Sequence, residues 1–328
     1  MKKILIFSNG EKIGDGIIKL PLLHEIKKRL PNYQTFWMTN KGATIYNSQL
    51  KNIASNYIDE IFEKAELNPF FWKKISNKYD LENLNFDIIF DTQKTFLRTF
   101  SLRRIKCNLF ISASGNSFFS DKKVKKKYNN KFRSYYLDDL FDLLDLIKFD
   151  SIDKNFSIPI PRELENSLTN LFDKNNSYIG IAPGAGEKNK IWAIDNFIEV
   201  AKYYEKKSYK LVFFLGPQEL SIKSKLTKLF PDAILPEEKI VNFSSPEIVM
   251  CSTKFLSCAL SNDSGVSHML STNLCPVVKL FGPKNPYKFT PKNCNIYTIS
   301  SQDFGSNNIN SIKSEIVIKK INEILSHI

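Results

Sequence analysis

The chain has 328 residues, 42% of them hydrophobic, and carries 47 Lys and Arg against 34 Asp and Glu, a formal charge of +13. That length suits two domains of roughly 100–200 residues each, the apolar content excludes wholesale disorder, and no apolar run approaches the ~18 residues of a spanning helix. Five scattered cysteines (Cys107, Cys251, Cys258, Cys275 and Cys294) without a C-x-x-C pair, and only three histidines, support neither a disulfide framework nor a metal centre.

The N-terminus reads Met1-Lys2-Lys3, then only Ile4 to Phe7 before polar Ser8-Asn9, shorter than the ~7–15 residues of a signal-peptide core. A cytoplasmic location is therefore expected. Lys3 to Phe7 reads as a strand, Ser8 to Lys12 as a loop, and Ile13 to Leu30 as a helix with Ile17, Leu20, Leu23, Ile26 and Leu30 at helical spacing. Pro31-Asn32 stops it, Thr35 to Met38 returns to strand, and Phe86 to Phe90 is a further buried strand ending in Asp91-Thr92-Gln93. Leu137 to Ile147 is an apolar helix. Pro159 and Pro161 favour an extended linker, dividing the chain into domains of residues 1–160 and 161–328.

The α/β rhythm then restarts: strand Tyr178 to Ala182, helix Ile194 to Tyr204, strand Lys210 to Leu215, helix from Pro246, strand Phe255 to Leu260, helix from Gly265, strand Pro276 to Phe281, and a final amphipathic helix from Ser314 to Ile328. Both halves are thus α/β and doubly wound, with ligand-binding loops at the strand C-termini. Neither half holds G-x-G-x-x-G or G-x-x-x-x-G-K-[ST], which removes the main support for a nicotinamide dehydrogenase or a P-loop NTPase.

Two strand-to-helix turns in the second half suit a diphosphate. Gly184-Ala185-Gly186 lets backbone amides approach an anion, and Lys190 follows close behind. Asp263, Ser264, Gly265, Val266 and His268 surround a helix start, where free N–H groups and the helix dipole favour phosphate. The plainer alternatives are an Asp263 or Ser264 cap and a histidine filling a polar gap. In the first half, Asp15 between Gly14 and Gly16 is either a helix cap or a general base facing a cleft between the domains. No D-x-D occurs, so a metal-bridged diphosphate is not expected, and Lys190 and the helix ends would stabilise the departing charge.

Lys, Asn and Ile are abundant throughout, so local clustering is a better guide than total charge. Lys122, Lys123, Lys125, Lys126, Lys127, Lys131 and Arg133 follow Phe118-Phe119, with Arg98, Arg103 and Arg104 upstream. This is either a solvated loop or a surface for an anionic membrane or a charged acceptor. Lys12, Gln93, Arg98, Lys122, Lys123 and Lys125 form the candidate acceptor and anion surface. No nucleic-acid module accompanies the charge, and none is expected as a partner.

Several segments resemble glycosyltransferase family 9, the lipopolysaccharide heptosyltransferases: Ile4-Leu5-Ile6, Ile13-Gly14-Asp15, Leu20-Pro21-Leu22-Leu23, Gly180 to Ala185, Lys190-Ile191-Trp192, Ser261 to Gly265 with His268, and Leu280-Phe281-Gly282-Pro283. The order and spacing match over nearly the whole chain. The resemblance implies a GT-B fold, two Rossmann-like domains facing a central cleft, with acceptor in the first and nucleotide sugar in the second. It implies Asp15 as base, Lys190 on the phosphates, Asp263 to His268 around the diphosphate, and Gln218 or Glu219 on the ribose. Glu11 and Lys12 depart from the family's small hydroxyl residues, and Ala193 replaces its usual proline.

The expected function is metal-independent, inverting transfer of a sugar, a heptose from ADP-heptose by resemblance. The acceptor would be a lipid-linked or oligosaccharide envelope glycan, met at the inner face of the cytoplasmic membrane, and no cofactor is expected. The rivals are a GT-B nucleotide-sugar epimerase and a catalytically silent sugar- or nucleotide-binding protein.

Overall fold

The computed structural model describes residues 1–123, 136–153, 156–284, 286 and 295–327. Contacts divide the chain into two units, Met1–Lys154 and Asn155–Ile328, the break falling just before the Pro159–Pro161 pair.

The first unit contains β1 (Lys2–Ser8), α1 (Ile13–Arg29), β2 (Tyr33–Thr39), α2 (Lys51–Ala54), β3 (Glu60–Phe62), β4 (Asn85–Asp91), α3 (Phe96–Leu102), β5 (Lys106–Ser112) and α4 (Tyr136–Asp145). Its sheet runs β3-β2-β1-β4-β5, all parallel. Ile4 to Phe7 are fully buried, as strands covered on both faces must be, which is why β1 reads as an unbroken apolar run rather than an alternation. At the end of α1 the buried Arg29 is fully engaged. It meets Glu25 at 3.1 Å and Asp145 at 2.6 Å, and donates to the carbonyls of Lys148 and Asp150. A buried guanidinium is tolerable only when satisfied in this way.

The second unit contains α5 (Arg162–Leu171), β6 (Tyr178–Ala182), α6 (Ile194–Lys206), β7 (Lys210–Phe213), α7 (Leu220–Leu229), α8 (Pro236–Lys239), α9 (Ser245–Ser252), β8 (Cys258–Asn262), α10 (Gly265–Leu270), β9 (Val277–Phe281), β10 (Ile296–Ser300) and α11 (Ser314–Leu325). Its parallel sheet runs β10-β9-β8-β6-β7. α6 buries Phe197, Ile198, Val200, Ala201 and Tyr204, the stripe expected of a helix lying on a sheet. α11 lies on α6. Tyr204 Oη donates to Ile318 O at 3.1 Å, and Trp192 Nε1 donates to Ile312 O at 2.8 Å. Val317, Ile321 and Ile324 of this last helix are buried in the second unit's own core.

Among the described residues, Cys107, Cys251, Cys258 and Cys275 are free thiols; Cys294 lies outside them. No described helix is long and apolar enough to cross a membrane.

Candidate functional site

In an open parallel sheet, the loops leaving strand C-termini diverge where the strand order reverses, and ligands enter that crevice. In the second unit the reversal lies between β6 and β8. The loops leaving those strands are the two that the sequence singles out. Asn262 stitches them together: its Nδ2 donates to Pro183 O at 2.7 Å, and its Oδ1 accepts from Trp192 N at 3.2 Å.

On this frame sits a four-charge cluster. Lys190 Nζ lies 3.1 Å from Glu187 Oε1 and 3.4 Å from Asp263 Oδ2, while Lys279 Nζ lies 3.1 Å from Asp263 Oδ1. Burial works against the Lys190 cation, but Glu187 and Asp263 outweigh it and raise its pKa above the ordinary lysine value. Lys279 comes from the middle of β9, is 2% exposed, and went unremarked in the sequence. The signal available there was a lone lysine within the apolar run Val277-Val278-Lys279-Leu280-Phe281.

Asp263 is held by two lysines rather than acting as a helix cap. Ser264 is the N-cap of α10 and faces Ser267 in a loose capping box; Ser267 Oγ donates to Ser264 O at 2.7 Å, while the buried Ser264 Oγ makes no close hydrogen bond of its own. A weakly engaged hydroxyl, at a helix start whose first amides lack intrahelical acceptors, is a donor set suited to an anionic oxygen. His268 follows in the first turn of α10. Burial, with Lys279 and Lys190 adding to it, lowers its pKa from 6.5 to about 3. It is therefore a neutral hydrogen-bonding group here, not a cation.

That shift predicts a pH dependence. The folded value lies below the unfolded one, so the unfolded chain takes the proton first. Stability present above about pH 6.5 should be lost as pH falls towards 3. Melting curves of His268→Gln should show a shallower acid slope in that window; an unchanged slope would remove His268 as its source.

The third loop, after β7, brings Glu219 against Gly184. A Cβ at position 184 would come within 3 Å of the Glu219 carboxylate and push it aside, so glycine is what lets the carboxylate rest there. Burial raises the Glu219 pKa. Gln218 is exposed, so of the two ribose candidates it is Glu219 that the fold sets beside the β6 loop. Ala185 is buried and Gly186 exposed in the same loop, and Val266 is half-buried on α10.

In the first unit the reversal lies between β1 and β4. Asp15 stands in the first turn of α1, exposed; the N-cap is Lys12, without a side-chain cap bond. One turn on, Lys19 is buried, with Nζ 3.8 Å from Glu11 Oε1 and 3.1 Å from Ser8 Oγ. Burial lowers the Lys19 pKa, opposed by Glu11 and Asp15. At the end of β4, buried Asp91 accepts from Thr99 Oγ1 (2.7 Å), Ser112 Oγ (2.8 Å) and Gln93 N (2.8 Å), and burial raises its pKa to about 6 despite these bonds. Tyr136 Oη donates to Thr92 O at 2.8 Å, and burial pushes its pKa up to about 12, with Asp91, Asp15 and Glu11 adding to the effect. Glu11, Asp91 and Tyr136 thus join Asp15 and Gln93 at this edge, and sequence reasoning did not single them out.

The family model for glycosyltransferase family 9 (heptosyltransferase) matches residues 76–316, well over half of the chain. The chain belongs to glycosyltransferase family 9. Relatives of this glycosyltransferase include the lipopolysaccharide core heptosyltransferase OpsX of Haemophilus influenzae, 22% identical over 290 residues, covering 86% of this chain and 79% of that protein. Lipooligosaccharide heptosyltransferase 2 of Campylobacter jejuni is 23% identical over 279 residues, covering 85% and 80%. Among solved structures, a family 9 glycosyltransferase from Veillonella parvula superposes with a TM-score of 0.75 at 18% identity, covering 100% of this chain and 98% of that one. E. coli heptosyltransferase WaaC with ADP gives 0.68 at 16% identity, covering 99% and 100%. The two parallel α/β units have the GT-B fold.

Within this family 9 glycosyltransferase, Arg98 is half-buried on α3, the helix that follows β4, while Lys122 and Lys123 are exposed after β5. Lys122 Nζ donates to Leu146 O at 2.8 Å. Lys125, like Lys126, Lys127, Lys131 and Arg133, lies outside the described residues.

Proposed function

We propose that this glycosyltransferase moves a heptose from ADP-heptose to a lipopolysaccharide-core or related envelope acceptor, with inversion at the anomeric carbon and without a metal ion. The observation that carries the donor side is the pair of lysines, Lys190 and Lys279, gathered on Asp263 at the start of α10, next to the weakly engaged Ser264 hydroxyl. These groups supply positive charge and hydrogen-bond donors around one point, which is what a leaving diphosphate needs. The names of the relatives support heptose as the sugar.

In the proposed step, Asp15 takes the proton from an acceptor hydroxyl, and that oxygen attacks the anomeric carbon from the face opposite the diphosphate. The bond from that carbon to the diphosphate oxygen breaks, and ADP departs with the electron pair. Lys190 exchanges its carboxylate partners for phosphate oxygens, and neutral His268 donates a hydrogen bond. Glu219 accepts from the ribose hydroxyls. A lipid-linked acceptor would be met at the inner face of the cytoplasmic membrane.

Melting curves with ADP, UDP, GDP and CDP, followed by product analysis with and without a chelator, test this reading. ADP at about a hundred times its Kd should raise the Tm by roughly 5–10 °C. Transfer should be insensitive to chelation. A larger shift with another nucleotide would replace the donor, and conversion of the sugar without transfer would replace the reaction.

A further inference from the structure

α3 is a helix turned inside out. Its buried residues are Thr99, Ser101 and Leu102, while Phe96, Leu97 and Phe100 are 53%, 64% and 42% exposed. Water-facing helices show the opposite pattern. The outward rings continue into the turn before Asp121. Phe119 lies 4.8 Å from Phe96 and 5.1 Å from Phe118, between ring centroids, and Phe118 is 72% exposed. Asn116 and Ser117, just before it, both hold left-handed φ values of 57° and 62°, a backbone state that non-glycine residues adopt at a cost. A second cluster, Phe70, Phe71 and Trp72, is 48%, 80% and 65% exposed. Arg104, just past α3, ties its loop alongside by donating to Asn68 O and Lys73 O, each at 2.6 Å.

Basic side chains outnumber acidic ones around this apolar face, although Lys94 pairs with Asp139 and Arg103 with Asp121. Lys73, Lys74, Lys94, Lys122 and Lys123 are exposed in the same segments. From Lys94 to Arg133 the sequence holds twelve Lys and Arg against the single Asp121, a balance of +11. The other 288 residues hold 35 basic and 33 acidic side chains, a balance of +2. In sequence, the chain's net positive charge is therefore concentrated in the stretch that contains α3 and the Phe118 turn.

We infer that α3, the Phe118 turn and the Phe70–Trp72 loop form a docking surface for an anionic lipid bilayer. Aromatic rings settle at the level of lipid headgroups, and each nearby lysine adds attraction to anionic lipid. A purely electrostatic partner would not require an apolar helix face turned to solvent, and a purely apolar one would not collect the charge. The same helix reaches the catalytic edge from its inner side, where Thr99 holds Asp91. Bilayer docking would thus fix the position of the first unit's site relative to a lipid-linked acceptor. The purpose of the surface rests on the proposed acceptor; its existence does not.

The protein carries its own reporter. Of its three tryptophans, Trp37 and Trp192 are fully buried, so a lipid-induced change in emission belongs to Trp72. With phosphatidylcholine vesicles containing one quarter phosphatidylglycerol, the emission should move to shorter wavelength and be quenched by brominated acyl chains. With pure phosphatidylcholine it should stay put, and 0.5 M NaCl should weaken binding by on the order of tenfold or more. Leu97→Ser/Phe118→Ser, both at exposed positions, should lower sedimentation with the anionic vesicles at least tenfold while leaving the ADP-induced rise in Tm unchanged. No Trp72 response to anionic vesicles, or an equal response to neutral ones, overturns the proposal. So does a dimer in sedimentation that the double variant dissociates, without vesicle binding. An intact ADP response in any of these cases leaves the donor reading standing.

Discussion

Asp15→Asn should lose transfer activity by on the order of 10²–10⁴-fold, the range of a general base, while ADP still raises the Tm as in the wild type. The side chain is exposed in the first turn of α1 and does not cap it, since the N-cap is Lys12. Its loss should therefore leave the fold intact, and ADP is proposed to bind the other unit. The control is Glu11. This carboxylate is buried, both its oxygens lack a hydrogen-bond partner, and Lys19 stands 3.8 Å away. If Glu11→Gln abolished turnover while Asp15→Asn kept it, the proton acceptor would be Glu11. The expected result is that Glu11→Gln slows the reaction less than Asp15→Asn and shifts its pH profile, because Glu11 acts on Lys19, Tyr46 and Tyr136 rather than on substrate.

Lys279→Met should destabilise the protein by about 3–5 kcal/mol, because it strands Asp263 in a buried position with a single cation left beside it. For a unit of this size that is a fall in Tm of roughly 10 °C. Donor binding should weaken in the same variant, since half of the positive charge around Ser264 is gone. Adding Asp263→Asn separates the two effects. The double variant should regain most of the lost stability in a melting curve, yet still respond weakly to ADP. Full recovery of the ADP response would show that Lys279 serves the fold alone.

The two loops proposed to hold the donor were legible because their chemistry is local. Gly184 to Lys190 and Asp263 to His268 each lie within one strand-to-helix turn, and glycine, lysine and histidine carry meaning there before any fold is known. Lys279 was not legible. It becomes a partner of Asp263 only when β9 pairs with β8 and sets Lys279 opposite Ser261. Asp91 was visible as the end of a strand, but its three donors come from positions 93, 99 and 112. α3 escaped because its apolar residues face outward, so the usual rule for locating a helix face points the wrong way. β5 begins Lys106-Cys107-Asn108 and β10 carries exposed Tyr297, patterns typical of sheet edges and weak in apolar signal.

The close approach of Gly184 to Glu219 couples two positions from different loops in one direction. A methyl group added at 184 would push the carboxylate at 219 out of its place. Position 219 can shorten beside an unchanged Gly184, whereas a side chain at 184 fits without displacement only once 219 is small. Among descendants of this chain, a side chain at 184 should accompany or follow a change at 219.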